Sequence, residues 1–318
     1  MKKSFKNILV LLLVVFLLPV TNLSAQEQNQ KEAKYSPKAG DWSIGVSFNP
    51  ATLAYQCSLR PKPGEASGDY ILGLSDNPKQ MHILAQDPLA TFRFRYVINP
   101  SWQLRVTLGF NGSHIDYKEY VPDDRALALN PDSQNKVVDA VRSNLNGGNL
   151  TFGAQYMAGK GSLRFIAGFG LSYSIAGGGI NFKYGNVMTD INHVPSSMPI
   201  TKPAETQNDK TLNEFESVLG IKYGRPLRRY NVGYTHGIGI NGDMGIEWFM
   251  TGRMSLTAAM TFIPVMFIFQ PKTYTKYEGF SSNTGRVEEY NSMVSPGSTA
   301  VLYGTESIGL NISLNYYF

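Results

Sequence analysis

Few residues in this 318-residue chain are typed and spaced for chemistry. His114 and Asp116 stand two apart in Gly112-Ser113-His114-Ile115-Asp116-Tyr117, with a serine beside the histidine. A Ser–His pair makes a nucleophile only if the hydroxyl reaches the imidazole. Neighbours in an extended strand point to opposite faces, so Ser113 and His114 do not form that pair. His114 and Asp116 share a face and read as polar groups at a membrane interface. His82, His193 and His236 are scattered, with no paired spacing and no carboxylate at a metal-ligand interval. Gly177-Gly178-Gly179 lacks the Lys-Ser/Thr and helix that a phosphate loop requires. Asp123-Asp124 and Glu288-Glu289 read as solvated loop carboxylates, since Ca²⁺ needs a specific turn around them. Cys57 is the one cysteine, which excludes a disulfide framework and a Cys-based zinc site. No catalytic residue, cofactor or metal is assigned, and the chain is expected not to be an enzyme.

A second group is basic. Lys222, Arg225, Arg228 and Arg229 precede a strand-like segment. Guanidinium groups pair well with phosphate, so contacts to lipopolysaccharide phosphates are expected there. The chain as a whole is not a nucleic-acid binder. Residues 1–25 read as a cleaved signal peptide: Lys2, Lys3 and Lys6, then an apolar run from Ile8 to Val20, then Leu23-Ser24-Ala25 before Gln26. Removing those three lysines from 29 basic residues leaves 26 against 24 acidic ones. The concentrated basic face that nucleic acid demands is missing.

The elements that must position these residues are strands. Eight segments alternate apolar and polar with period two. They are Trp42–Phe48, Phe92–Ile98, Trp102–Phe110, Leu150–Tyr156, Leu163–Tyr173, Val232–Trp248, Met254–Phe262 and Ile308–Phe318. A half-buried strand in a soluble sandwich and a strand exposed to lipid both alternate in this way. The connections discriminate. Asn99-Pro100-Ser101, Gly159-Lys160-Gly161 and Thr251-Gly252-Arg253 are tight turns. The other connections run about 50–88, 115–147, 176–229 and 270–302. Short and long alternate strictly, as short periplasmic turns and long outer loops do in a bacterial outer-membrane barrel. The fold expected is therefore an all-β, transmembrane, antiparallel up-and-down barrel of eight strands with four long extracellular loops. Leu219, Ile221 and Tyr223 suggest one further short strand, and a ten-strand count is the alternative. Residues 26–40 are expected to form a disordered periplasmic tail, and 41–318 the barrel.

The last nine residues, Leu310-Asn311-Ile312-Ser313-Leu314-Asn315-Tyr316-Tyr317-Phe318, end on Phe with an apolar residue at every second position. With the leader and the aromatic, Gly-rich alternating body, this stretch resembles the outer-membrane β-barrel proteins of the Bacteroidota, over essentially the whole mature chain. The resemblance implies export to the outer membrane of a Gram-negative cell. It also makes Leu310, Ile312, Leu314, Tyr316 and Phe318 a signal read by the barrel-assembly machinery.

If the apolar parity faces lipid, Arg93, Arg95, Arg105, Arg164, Asp243 and Glu247 point inward. An eight-stranded barrel is just wide enough for side chains to fill. The six then form an ion-paired plug, the alternative being a narrow anion-attracting path. Trp102, Tyr156, Trp248, Tyr316 and Phe318 are expected in interface girdles. The function expected is non-enzymatic: a barrel that presents surface loops to an extracellular ligand, or serves as an accessory barrel of an envelope or secretion complex. A porin-like small-solute channel is the first rival and a lipid-modifying enzyme the second. Lipid and lipopolysaccharide are the expected surroundings in each case.

Overall fold

The computed structural model describes residues 37–49, 90–198, 204–205, 219–304 and 308–318. The leader, all but the end of the tail, Cys57, His82 and the first long connection lie outside the described residues. The strands, in chain order, are β1 (Trp42–Phe48), β2 (Ala90–Asn99), β3 (Trp102–Pro122), β4 (Lys136–Ala158), β5 (Leu163–Lys183), β6 (Ala204–Glu205) and β7 (Ile221–Asn231). They continue as β8 (Thr235–Phe249), β9 (Met254–Gln270), β10 (Thr273–Ser281), β11 (Arg286–Ser295), β12 (Ser298–Tyr303) and β13 (Ile308–Tyr317). A short helix, α1 (Asp124–Leu129), tips the β3–β4 hairpin, with Asp123 as its N-cap.

Eight strands form a closed ring. β1 to β5 pair in sequence, β5 pairs β8, β8 pairs β9, β9 pairs β13, and β13 returns to β1, every pair antiparallel. These eight contain the eight alternating segments of the sequence, apart from Val232 and Tyr234 just ahead of β8 and Phe318 just past β13. The three short connections are tight turns, as their sequences require. Asn99 Oδ1 accepts from the amides of Ser101 and Trp102, both at 2.9 Å. Thr251 Oγ1 accepts from Arg253 and Met254. Gly159 and Gly161 both take positive φ. These turns share one end of the ring.

The opposite end departs from expectation. Of the stretches 115–147, 176–229 and 270–302, much is strand rather than loop. β3, β4 and β5 run to 21, 23 and 21 residues, about twice what a tilted strand needs to cross a bilayer. Above the ring β5 pairs β7, β7 pairs β10 and β10 pairs β11, while β12 pairs the far end of β9. Of the segment suggested by Leu219, Ile221 and Tyr223, the last two lie in β7 and Leu219 just ahead of it, and β7 joins an extension and not the ring. Residues 184–198 fold back over this extension. Asp139, fully buried, accepts from the amides of Gly185 and Met198. Asp124 Oδ2 accepts from the Asn192 side chain at 2.7 Å and the Ser196 amide at 2.8 Å. Beneath them Val121, Val141, Ile180 and Met198 form a small apolar core.

Burial in the ring is inverted relative to a soluble protein. Phe152, Phe169, Leu171, Ile240 and Ile312 are exposed, Phe169 at 62%, while Arg93, Gln103, Gln155, Thr257 and Asn315 are buried. Facing water, this continuous apolar surface would far exceed the few hundred Å² a soluble monomer shows. Trp42 against Tyr96, Trp102 against Tyr156, and Tyr316 against Phe318 ring the tight-turn end with aromatics. Trp248 is exposed in the same tier, beside Leu163 of β5. From Leu163 to Tyr173 the outward face of β5 is apolar. At ~3.3 Å per residue and ~40° of tilt that covers about 25 Å, the height of a membrane barrel's apolar band. Beyond it the outward face turns polar, with Asp116 between Lys118 and Arg142.

Candidate functional site: the filled lumen

The lumen is built in tiers by the inward parity of the eight strands. At the tight-turn end Val97, Met157, Ile166, Phe249, Ala259 and Tyr317 form an apolar plug. Directly above it Arg95 Nη1 donates to Glu247 Oε1 at 2.8 Å, to Oε2 at 2.9 Å and to the Tyr317 hydroxyl at 2.9 Å. Tyr317 donates to Glu247 Oε1 at 3.0 Å, and the Ser255 hydroxyl donates to the same oxygen at 2.5 Å. Asn315 ties in Ser255 and Thr257. Both ions are wholly buried. Such a pair stands only because further hydrogen bonds satisfy the carboxylate.

The next tier is Gln103 donating to Gln155, Gln155 donating to Asp243 at 2.7 Å, and Arg105 ion-paired with Asp243. Small residues make room for these side chains. A Cβ at Gly168 would lie 2.2 Å from Asp243 Oδ1, and one at Gly45 2.3 Å from Asn315 Oδ1.

Above this lies a cavity of about 40 Å³, lined by Arg93, Arg105, Thr107, Thr151, Asn241 and Asn311 among others. Its upper side is apolar because β9 slips phase. Between Phe262 and Val265 an extra residue is inserted opposite Ile240–Gly242. Below this bulge the odd positions Ser255, Thr257 and Ala259 are the buried ones. Above it the buried ones are even, Met266 and Ile268. Pro264, which cannot donate to the ladder, sits at the bulge, as prolines in sheets do.

All six residues expected in the interior network lie in this lumen. Arg95 meets Glu247 and Arg105 meets Asp243. Arg93 donates to Ser313 at 3.1 Å, and the Arg164 guanidinium stands 5.7 Å from the centre of the Phe249 ring. Gln103, Gln155, Ser255, Thr257 and Tyr317 join this network beyond the six charged residues. They occupy the same inward parity, which was the available signal.

The basic cluster is divided. Arg225 is buried, ion-paired with Glu278 at 2.5 Å and stacked over Tyr184 at 4.0 Å, so its guanidinium is not presented to a lipid phosphate. Arg228 is exposed on β7, against Tyr230. Arg229 is half-buried, and the Lys222 side chain lies outside the described residues. On the outer face His114 bonds Asn144, and the Tyr173 hydroxyl stands 2.7 Å from His236 Nδ1. His193 stacks on Phe280. Among the described residues no three His, Cys, Asp or Glu side chains gather as a metal site would require.

A closed antiparallel ring of even strand number, apolar outside, polar inside and banded to bilayer height, has one setting. The chain is an outer-membrane β-barrel.

No family model matches the sequence, and no curated protein matches it. Solved outer-membrane proteins resemble it distantly. OprG from Pseudomonas aeruginosa is 12% identical over 89% of this chain and 98% of that one, with a TM-score of 0.32. A major outer membrane protein from Thermus thermophilus is 9% identical over 88% and 100%, with a TM-score of 0.34. Ail, the attachment invasion locus protein of Yersinia pestis, is 8% identical over 88% and 99%, with a TM-score of 0.28. The assignment rests on the ring and its inverted burial.

Proposed function

We propose that this protein is a sealed, non-enzymatic membrane anchor that carries a structured β-platform outside the cell to bind a partner, either an extracellular ligand or another component of an envelope complex. The observation that carries this reading is a contrast within the ring. The lumen is filled with buried side chains at the tight-turn end, while β3, β4 and β5 continue past the band into a walled and capped extension. Tight turns face the periplasm in such barrels, which points the extension outward. Connecting segments raised on a rigid scaffold are where binding function concentrates. Arg228 is the described member of the basic cluster still placed to meet a lipopolysaccharide phosphate. A Bacteroidota origin rests on the sequence resemblance alone.

The test is mild-detergent extraction from the native outer membrane through a tag between Gln26 and Gly40. A stoichiometric companion is expected, and replacing the β10–β11 hairpin with a short turn should remove it while the barrel still folds. In a planar bilayer the purified protein should give no stepwise conductance. A lone particle that conducts in discrete steps would overturn the proposal in favour of a channel.

A further inference from the structure

Among the described residues the lumen carries four guanidinium groups, Arg93, Arg95, Arg105 and Arg164, against two carboxylates, Asp243 and Glu247. Both carboxylates are engaged, Glu247 by Arg95 and Asp243 by Arg105. Arg93 is 3% exposed and donates from Nη1 to the Ser313 hydroxyl. Its Nε, like that of Arg105, has no acceptor among the described residues. Both arginines line the cavity, and among the described residues no carboxylate does. The rest of the wall supplies hydroxyls and an amide, from Thr107, Thr151 and Asn241 among others, which can turn a hydrogen toward an anion.

A buried guanidinium without a counter-charge is costly, and an orphaned N–H on it adds to the cost. A cavity of about 40 Å³ exceeds the ~10–15 Å³ that one water requires. It therefore holds a few waters or one small ion, but not a sugar phosphate or a nucleotide.

We infer that the cavity between Arg93 and Arg105 is a binding site for one small monovalent anion of chloride size, which supplies Arg93 with a counter-charge. The site is independent of the outer platform and of any partner bound there. Its ligand is a structural counter-ion and no transported flux is implied.

The experiment is thermal unfolding of the purified full-length barrel in detergent, in sodium chloride and in sodium gluconate at matched ionic strength. Gluconate screens equally but is a bulkier anion whose carboxylate ends a six-carbon polyol chain. Chloride is expected to raise the midpoint by several degrees over gluconate, saturably, and Arg93→Gln should abolish the difference. Equal midpoints in the two salts, or a difference that persists in Arg93→Gln, overturns the site. If Arg93→Gln does not fold, crystals of the unaltered protein grown in sodium bromide decide. An anomalous bromide peak between Arg93 and Arg105 supports the site, and its absence in well-diffracting crystals rejects it.

Discussion

Glu247 ties four strands together inside the lumen. It accepts from Arg95, Tyr317 and Ser255 at once, and all four groups belong to different strands. Truncating it to Ala leaves Arg95 wholly buried without its carboxylate, a loss of roughly 3–5 kcal/mol. Heat-modifiability on a gel, or a melting curve in detergent, should show the fall. Bilayer conductance should stay flat, because Val97, Met157, Ile166 and Phe249 of the apolar plug below remain in place. Gly168→Ala tests the same lumen from the opposite side. The new methyl would collide with the Asp243 carboxylate that Arg105 and Gln155 share. Overpacking of this kind costs about 1–3 kcal/mol, and restoring space with the double variant Gly168→Ala, Asp243→Ala should not recover it, since Arg105 is then unpaired. The charged members of this network were legible in the sequence, because a charge on the polar parity of a small barrel has nowhere else to go. Their pairing was not, because which tier each reaches depends on register, and alternation carries face without height.

The strands were legible where one face meets lipid and became illegible where neither does. β3 reads cleanly from Trp102 to Phe110 and then loses its beat through Gly112, His114 and Asp116, although it pairs β4 without interruption to Pro122. Past the apolar band the outward face meets water, so nothing enforces alternation and the sequence takes on the composition of a loop. β9 hides in another way. Its pattern stops at Phe262 because the bulge at Pro264 shifts the buried parity by one, and the remainder reads as a separate fragment. A mutational scan should therefore find inward-intolerant positions odd up to Ile263 and even from Met266 to Ile268. A single parity along the whole strand would contradict the bulge. The return of residues 184–198 over the extension hangs on Asp124, which accepts from Asn192 and Ser196. Asp124→Ala should open that segment to limited proteolysis while the ring keeps its heat-modifiable mobility. Loss of both together would mean that the segment and the ring fold as one unit.

At the scale of the molecule, the ring makes every strand answer to two neighbours, and its last joint is made by the two ends of the chain. The Trp42 amide donates to the Phe318 carbonyl and the Phe318 amide to that of Trp42. β1 and β13 register from Ser43 opposite Tyr317 to Phe48 opposite Ile312. Removing Tyr316–Phe318 should therefore leave no heat-modifiable barrel, whether or not those residues also serve as an assembly signal. The two roles separate in refolding from urea into detergent, where no assembly machinery is present. Failure there assigns the loss to the missing joint, and success assigns it to recognition. That joint also sets a clock. It pairs the first strand of the ring with the last, so the loop that must close runs from Ser43 to Tyr317, among the most entropically demanding contacts the chain makes. No prefix released from the ribosome or the export channel can seal itself. The polypeptide has to cross the periplasm with its lipid-facing aromatics unprotected until β13 arrives to pair with β1. Its survival on that journey depends on being held by something else, and the order of synthesis matters less than the moment of completion.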